Sequence, residues 1–413
     1  MTLDLAALAA QLRGAQERLR GAQERRRTRE QAAAEALALV RDRPLPLAVR
    51  ARPGFSPPQA LESLDRRVPV PAAPQRYSVV ATDGSQIAPD PHGALLYYVI
   101  NVGRVALHYG DARAHLDSRP TFTCAEDDLF ASVEEQVETP DRRPQPERAG
   151  EHYARVRERR ELLDEHLLAT KRKVAEMRAL VAFVREQRAD APLLALQDGS
   201  LIMTEHESLG RAGFVQPPLL RDYVAALREL VEEPVPVAGY ISRPRSDIVA
   251  GLLRAAVCQH DDATWREGCR AEPAALCARL AGATDDEVVA AIGLQPGERS
   301  ARFRSRWREA RAGEPAMEID FFFLHSGSEI ARVQLPADLA DDAALLDFTH
   351  AALMDQCRRG DGYPPALAEA HEQAIIRAGD RRAFVALVED DLARLGLPAS
   401  PSAKQRAKDR RAL

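Results

Sequence analysis

Aromatic residues make up only 5% of the 413-residue chain, so a platform on which successive nucleotide bases stack is not what carries its function. Lysine is nearly absent. Lys171, Lys173, Lys404 and Lys408 are the only ones among 57 basic residues, and the rest are arginine. Arginine's planar fork of donors suits phosphate clamping, although a genome-wide preference for arginine produces the same bias. An overall excess of positive charge is also missing. With a formal net charge of −5, any nucleic-acid partner must be met by basic residues confined to a groove. No run of 18 apolar residues and no signal peptide occur, so a reducing cytoplasm and no membrane partner are expected. The five cysteines, Cys124, Cys258, Cys269, Cys277 and Cys357, are odd in number and form no Cys-x-x-Cys pair. Cys258, His260, Cys269 and Cys277 lie close enough in sequence to raise a zinc question, but their spacing reads as buried structural thiols.

What is present is an ordinary globular composition, 45% hydrophobic and 29% charged, in a chain long enough for one large domain or two. Residues 1–43 predict a long N-terminal helix whose thin stripe of Leu5, Leu8, Leu12 and Leu19 suits assembly with a partner. Residues 44–76 are proline-dense and predict an extended connector. A main domain over 77–397 opens on the β-branched run Tyr77–Thr82, and Gly93 to Leu107 predicts one or two further strands of a meander. Insertions are expected near 108–150 and 262–315. A second long helix is predicted from about His152 to Arg188, then strands over Leu193–Gln197 and Pro234–Ser242. A hairpin around Ser326–Gly327 and helices from about Asp342 and Pro364 follow, and the basic tail, 398–413, is expected to be disordered.

The opening strand ends in Asp83–Gly84–Ser85 and the strand after the second helix ends in Asp198–Gly199–Ser200. Strand–Asp, meander, helix, strand–Asp is the order of an α/β, ribonuclease H-like mixed sheet flanked by helices. There, carboxylates at the ends of two neighbouring strands face each other. Each glycine permits a sharp turn that leaves the carboxylate exposed at the sheet's edge. Converging carboxylates hold Mg²⁺ or Mn²⁺, hard cations that prefer oxygen, and a pair of such ions about 3.5–4 Å apart hydrolyses phosphodiesters. Asp-Gly-Ser is also a common turn, so it is the two copies in this order that carry weight.

The chain resembles the NurA family. The landmarks are Val79–Val80–Ala81–Thr82–Asp83–Gly84–Ser85–Gln86, Leu196–Gln197–Asp198–Gly199–Ser200–Leu201, Arg332–Val333–Gln334–Leu335–Pro336, and Gly362–Tyr363–Pro364–Pro365 leading to Ala370–His371–Glu372. Together they span residues 77 to 376. The resemblance implies a Mn²⁺- or Mg²⁺-dependent DNA exo- and endonuclease acting as a homodimer. It also implies a hexameric HerA-type translocase as partner in resecting DNA ends for repair. Asp83 and Asp198 match the family's metal-binding aspartates, and His371 becomes a metal ligand or proton carrier. Glu176 is favoured as the glutamate that completes the site, because Leu180 and Phe183 share its face of the helix; Glu161, Glu165 and Glu186 compete. Tyr363 either orders a metal-bound water or plugs a helix end. Arg243, Arg245 and Arg332 are candidates for phosphate contacts. The competing readings are an inactive adaptor for the ATPase and a phosphoesterase acting on RNA or a small molecule.

Overall fold

A computed structural model of the chain describes residues 4–47, 49, 57–137, 155–188, 191–203, 217–260, 265–307 and 317–397. The tail expected to be disordered lies outside them, as does the proline-broken stretch 140–146. In chain order the first elements are α1 (Leu5–Gly14), α2 (Gln16–Val40), β1 (Gln59–Ala60), β2 (Tyr77–Ile87), β3 (Tyr98–Tyr109), β4 (Arg113–Thr123), α3 (Glu126–Leu129), β5 (Phe130–Val137) and β6 (Arg155–Leu162). There follow α4 (Glu165–Glu186), β7 (Leu193–Asp198), α5 (Pro217–Glu232), β8 (Val237–Ser242), α6 (Ile248–Val257), α7 (Trp265–Ala271), α8 (Leu276–Arg279) and α9 (Asp285–Ile292). The last are β9 (Phe303–Trp307), β10 (Met317–His325), β11 (Ile330–Pro336), α10 (Ala337–Ala340), α11 (Ala343–Arg359), α12 (Pro365–Ala374) and α13 (Ala378–Arg394). Among the described residues no helix is long and apolar enough to cross a membrane.

The chain divides into two compact units. The first comprises Met1–Pro74, Asp198–Ile202 and Pro236–Pro365. Its strands run β1–β9–β10–β11–β8, every neighbour antiparallel. Phe303, Phe321 and Phe323 form the strand side of its core, and Leu252, Leu253, Val288 and Val289 of α6 and α9 close it. The N-terminal helix is broken into α1 and α2 at Ala15, and its end does more than a narrow stripe would allow. Ala32, Ala33, Ala36, Leu37 and Val40 are buried in this core, because successive alanines let the helix axis come close. Its beginning is different: Leu5, Leu8, Leu12 and Leu19 are exposed.

The second unit comprises Gln75–Gln197, Met203–Val235 and Ala366–Leu413. Its sheet is mixed. β3 pairs antiparallel with β2 and with β4, while β7 returns from α4 to lie parallel to β2. A three-strand meander, a helix and a parallel strand beside the first is the expected ribonuclease H-like order. Side chains alternate across a strand. α4 therefore covers the face to which Thr82 and Gly84 point, with Thr82 Oγ1 donating to the Glu176 carbonyl, and α12 covers the face of Asp83 and Gly103.

Several boundaries differ from expectation. The second helix starts at Glu165, where the Asp164 carboxylate caps the backbone N–H groups of His166 and Leu167. Residues 155–162, expected to be helical, form β6, paired with β5. The meander's third strand, β4, falls inside the stretch expected to be an insertion. β9 falls inside the second expected insertion, and among the described residues three helices, α11, α12 and α13, stand where two were expected.

Candidate functional site

The two Asp-Gly-Ser tripeptides fold differently. Around Asp198 the expected turn forms: Gly199 has φ +85°, its N–H donates to the Tyr240 carbonyl at 2.8 Å, and Asp198 is exposed. The buried Gln334 amide pins this turn, accepting from Ser200 Oγ at 3.0 Å and from the Leu201 N–H at 2.8 Å. The Tyr363 hydroxyl donates to Asp198 Oδ1 at 3.2 Å, and its ring packs edge-on against Tyr240. Tyr363 follows Gly362, at φ +100°, where a side chain would collide with Ser328.

Around Asp83 there is no turn. β2 runs on to Ile87 and stays paired with β3 throughout, so Gly84 does not serve a bend. It serves packing: a Cβ there would run into Glu176 Oε1 and the Arg172 side chain. Glu176 is only 6% exposed, on the inner face of α4 with Leu180 and Phe183, and Arg172 one turn earlier pairs with it at 3.2 Å. On the β7 side the pairing of β2 is shorter, and its last pair is Thr82 with Gln197. One residue further along each of these parallel strands stand the two aspartates.

His371 projects from α12 to the surface. It is 61% exposed, and its Nδ1 lies 2.7 Å from Asp83 Oδ2. Close docking of α12 sets this contact. Gly103 lies opposite Asp83, and a Cβ on it would collide with the backbone of Ala370 and Ala374. Asn101 Nδ2 at 2.8 Å and Ser85 Oγ at 2.5 Å both donate to the Ala374 carbonyl, which the helix end leaves without an internal partner. Three other glutamates competed in the sequence. Glu186 accepts from Arg104, the Glu165 backbone carbonyl accepts from Gln86, and the side chain of Glu161 lies outside the described ones.

The three arginines separate into two kinds. Arg243 is exposed in the left-handed region at φ +44°, and its Nε donates to Glu329 at 3.2 Å. Arg243 and Arg245 line a cavity of roughly 520 Å³ together with Arg26, Asp286 and Glu329. Arg332 instead donates to Ser246 Oγ at 3.0 Å and lies over the Phe321 ring. Sequence reasoning missed Glu329, which also accepts from the Tyr240 and Ser242 hydroxyls, and Arg26, whose helix read as an assembly element. No local pattern marks either residue.

A family model described as NurA domain matches residues 77–376. Matching solved structures include two described as "Crystal structure of NurA with manganese" and "Crystal structure of NurA". Each is 10% identical to this chain and covers 78% of it and 90% of its own length, with TM-scores of 0.36 and 0.35. No curated protein matches the chain.

Proposed function

The chain belongs to the NurA family of nucleases, and from that premise we propose that it hydrolyses DNA phosphodiester bonds, as exo- and endonuclease, with Mn²⁺ or Mg²⁺ held by Asp83, Glu176, Asp198 and His371. The observation that carries this reading is the parallel pairing of β2 with β7, which ends one residue before an aspartate on each strand. The donor set fits. Carboxylate oxygens suit both ions, and a single imidazole favours Mn²⁺, which takes nitrogen more readily than Mg²⁺. Glu176 adds a buried carboxylate above Gly84. When bound, the ions supply an activated water and offset the charge that develops on the phosphate.

The protein's own groups orient and clamp. With Nδ1–H donated to Asp83, the imidazole of His371 is fixed and offers Nε2 as ligand or proton acceptor. Tyr363 orients Asp198 by donating to it. Arg243 and Arg245 are the phosphate contacts, and Arg332, through Ser246, steadies the segment that bears them. With a net charge of −5, such local clusters supply the positive field that DNA needs. The exposed leucines of α1 and early α2 support an assembly surface, for a homodimer or for a hexameric HerA-type translocase in end resection.

Labelled single- and double-stranded DNA and RNA, incubated with Mn²⁺, Mg²⁺ or chelator and resolved on a gel, test the reading. DNA cleavage that Mn²⁺ restores after chelation is expected. Cleavage of RNA alone favours the other phosphoesterase, and no cleavage of any substrate favours an inactive adaptor.

A further inference from the structure

The cysteines that read as unrelated buried thiols meet in space. Cys258 ends α6, Cys269 lies in α7 and Cys277 in α8, and their sulfurs all lie within 4.8 Å of one another. Cys258 Sγ is 3.7 Å from Cys269 Sγ, and Cys269 Sγ is 3.2 Å from Cys277 Sγ. Zinc–thiolate bonds of about 2.3 Å place tetrahedral sulfurs about 3.8 Å apart, so the Cys258–Cys269 pair already stands at that spacing and the Cys269–Cys277 pair needs to open by about half an ångström. His260, two residues after Cys258, presses its ring on the backbone of α7. A Cβ on Gly268 would lie 2.7 Å from His260 Cγ and Nδ1, and Gly268 directly precedes Cys269. His260 Nε2 lies 4.0 Å from Glu272 Oε2, a carboxylate close enough to attract the ring but too far to hydrogen-bond it.

Packing alone does not call for this arrangement. α7 has seven residues and α8 four, and what they bury together is chiefly Cys269 and Cys277, with Val257, Cys258, Ala275 and Ala278 around them. Segments this short have little apolar area with which to hold their place, and a metal cross-link supplies what is missing.

We propose that Cys258, Cys269 and Cys277 form a structural Zn²⁺ site that fastens α7 and α8 to the end of α6, with His260, whose ring must turn toward the sulfurs, as fourth ligand. The donors are soft sulfur and nitrogen, so the site selects Zn²⁺ over the hard ions suited to Asp83 and Asp198. On binding, the three thiols give up their protons to solvent, and four protein ligands leave no open position for chemistry. The inference stands independently of the nuclease reading.

The full chain, purified under reducing conditions and reconstituted with Zn²⁺, is expected to retain about one equivalent of zinc after desalting. Co²⁺ in its place is expected to give thiolate-to-metal charge-transfer absorption in the near ultraviolet and strong tetrahedral visible bands. Cys269→Ser should lose both, while Cys124→Ser and Asp198→Asn keep them, and His260→Ala should weaken the visible bands. Should Cys269→Ser fail to fold, alkylation of the wild-type chain read by mass spectrometry decides. Cys258, Cys269 and Cys277 should be protected with Zn²⁺ and become reactive together on chelation, with Cys124 reactive in both states. No retained zinc and no cobalt charge transfer, equal zinc in Cys269→Ser, or reactivity of the three thiols unchanged by chelator would each overturn the proposal.

Discussion

Asp83 and Asp198 share a tripeptide and not a conformation, and the difference lies in what each neighbouring glycine is for. Gly199 supplies a positive φ that other residues rarely adopt, whereas Gly84 makes room for Glu176 and Arg172. Asp83→Asn and Asp198→Asn are each expected to reduce Mn²⁺-dependent DNA cleavage to background. Their thermal midpoints should stay within about 4 °C of wild type, since one side-chain hydrogen bond contributes about 1 kcal/mol. Cleavage rates and melting curves on the same preparations check both halves. Gly84→Ala tests the cradle: its methyl group displaces Glu176, so cleavage should fall as it does in Glu176→Gln, and a fully active Gly84→Ala would remove Glu176 from the site. A buried histidine contributes to the pH response of the first unit. His350 is buried, its Nε2 lies 2.8 Å from the Gly297 carbonyl, and burial pushes its pKa down to about 4. An unfolded histidine titrates near 6.5, so between these values the unfolded chain binds more protons. This contribution to stability is complete above about pH 6.5 and is lost as pH falls toward 4, by roughly 3 kcal/mol in all. Denaturant titrations at successive pH values should show that slope, and His350→Gln should flatten it.

Elements were legible where their pattern was strong and local. β2, β7, β8, the β10–β11 hairpin and the inward register of α4 follow from apolar runs and periodicity in the sequence. β4 was not legible, because nearly all its residues are exposed and it carries Pro120, which leaves no apolar alternation to read. β6 hid behind the helix-favouring run Arg157–Glu158–Arg159–Arg160–Glu161, whose local propensity is overridden by pairing with β5. β9 alternates Phe303, Ser305 and Trp307 with arginines, but its stability depends on distant partners. Arg304 holds the buried Asp320 at 2.7 Å and Asp341 at 2.8 Å, from the partner strand and beyond it. α12 shows how an element carries a site. Gly103→Ala should push this helix away from β3, destabilise the protein by about 1–3 kcal/mol and lower cleavage by separating His371 from Asp83. Unchanged cleavage in that variant would detach His371 from the site. At the other end of the chain, α1 contributes only exposed residues where its side chains are described, whereas α2 is part of a core. Removing residues 1–14 should therefore leave the unfolding midpoint unchanged and alter the oligomeric mass seen by light scattering. A truncation to residue 43 would also remove Ala32, Ala36 and Leu37 and so could not separate the two effects.

For the molecule as a whole, the sequence showed the order of the strongly patterned elements and offered the two aspartates as candidates, but not the contacts that orient them. Tyr363 and His371 come from segments some 165 and 288 residues away from their aspartates, and no local pattern encodes such a distance. The same reason kept the cysteine cluster hidden: spacings of 11 and 8 residues follow no familiar metal motif, and three separate helical segments bring the sulfurs together. The two proposed metal sites differ in ligand chemistry, with oxygen-rich donors around Asp83 and Asp198 for Mn²⁺ or Mg²⁺ and sulfur donors for Zn²⁺. The proposed function requires that Asp83 and Asp198, each one residue beyond the last β2–β7 pair, serve one metal centre. A Mn²⁺ titration of the full chain, followed by the loss of the free-ion electron paramagnetic resonance signal, tests it most directly when run beside Asp83→Asn and Asp198→Asn. If the two residues share a centre, either substitution alone should remove the same high-affinity binding seen in the wild type. Wild-type Mn²⁺ affinity and stoichiometry in either variant would contradict it.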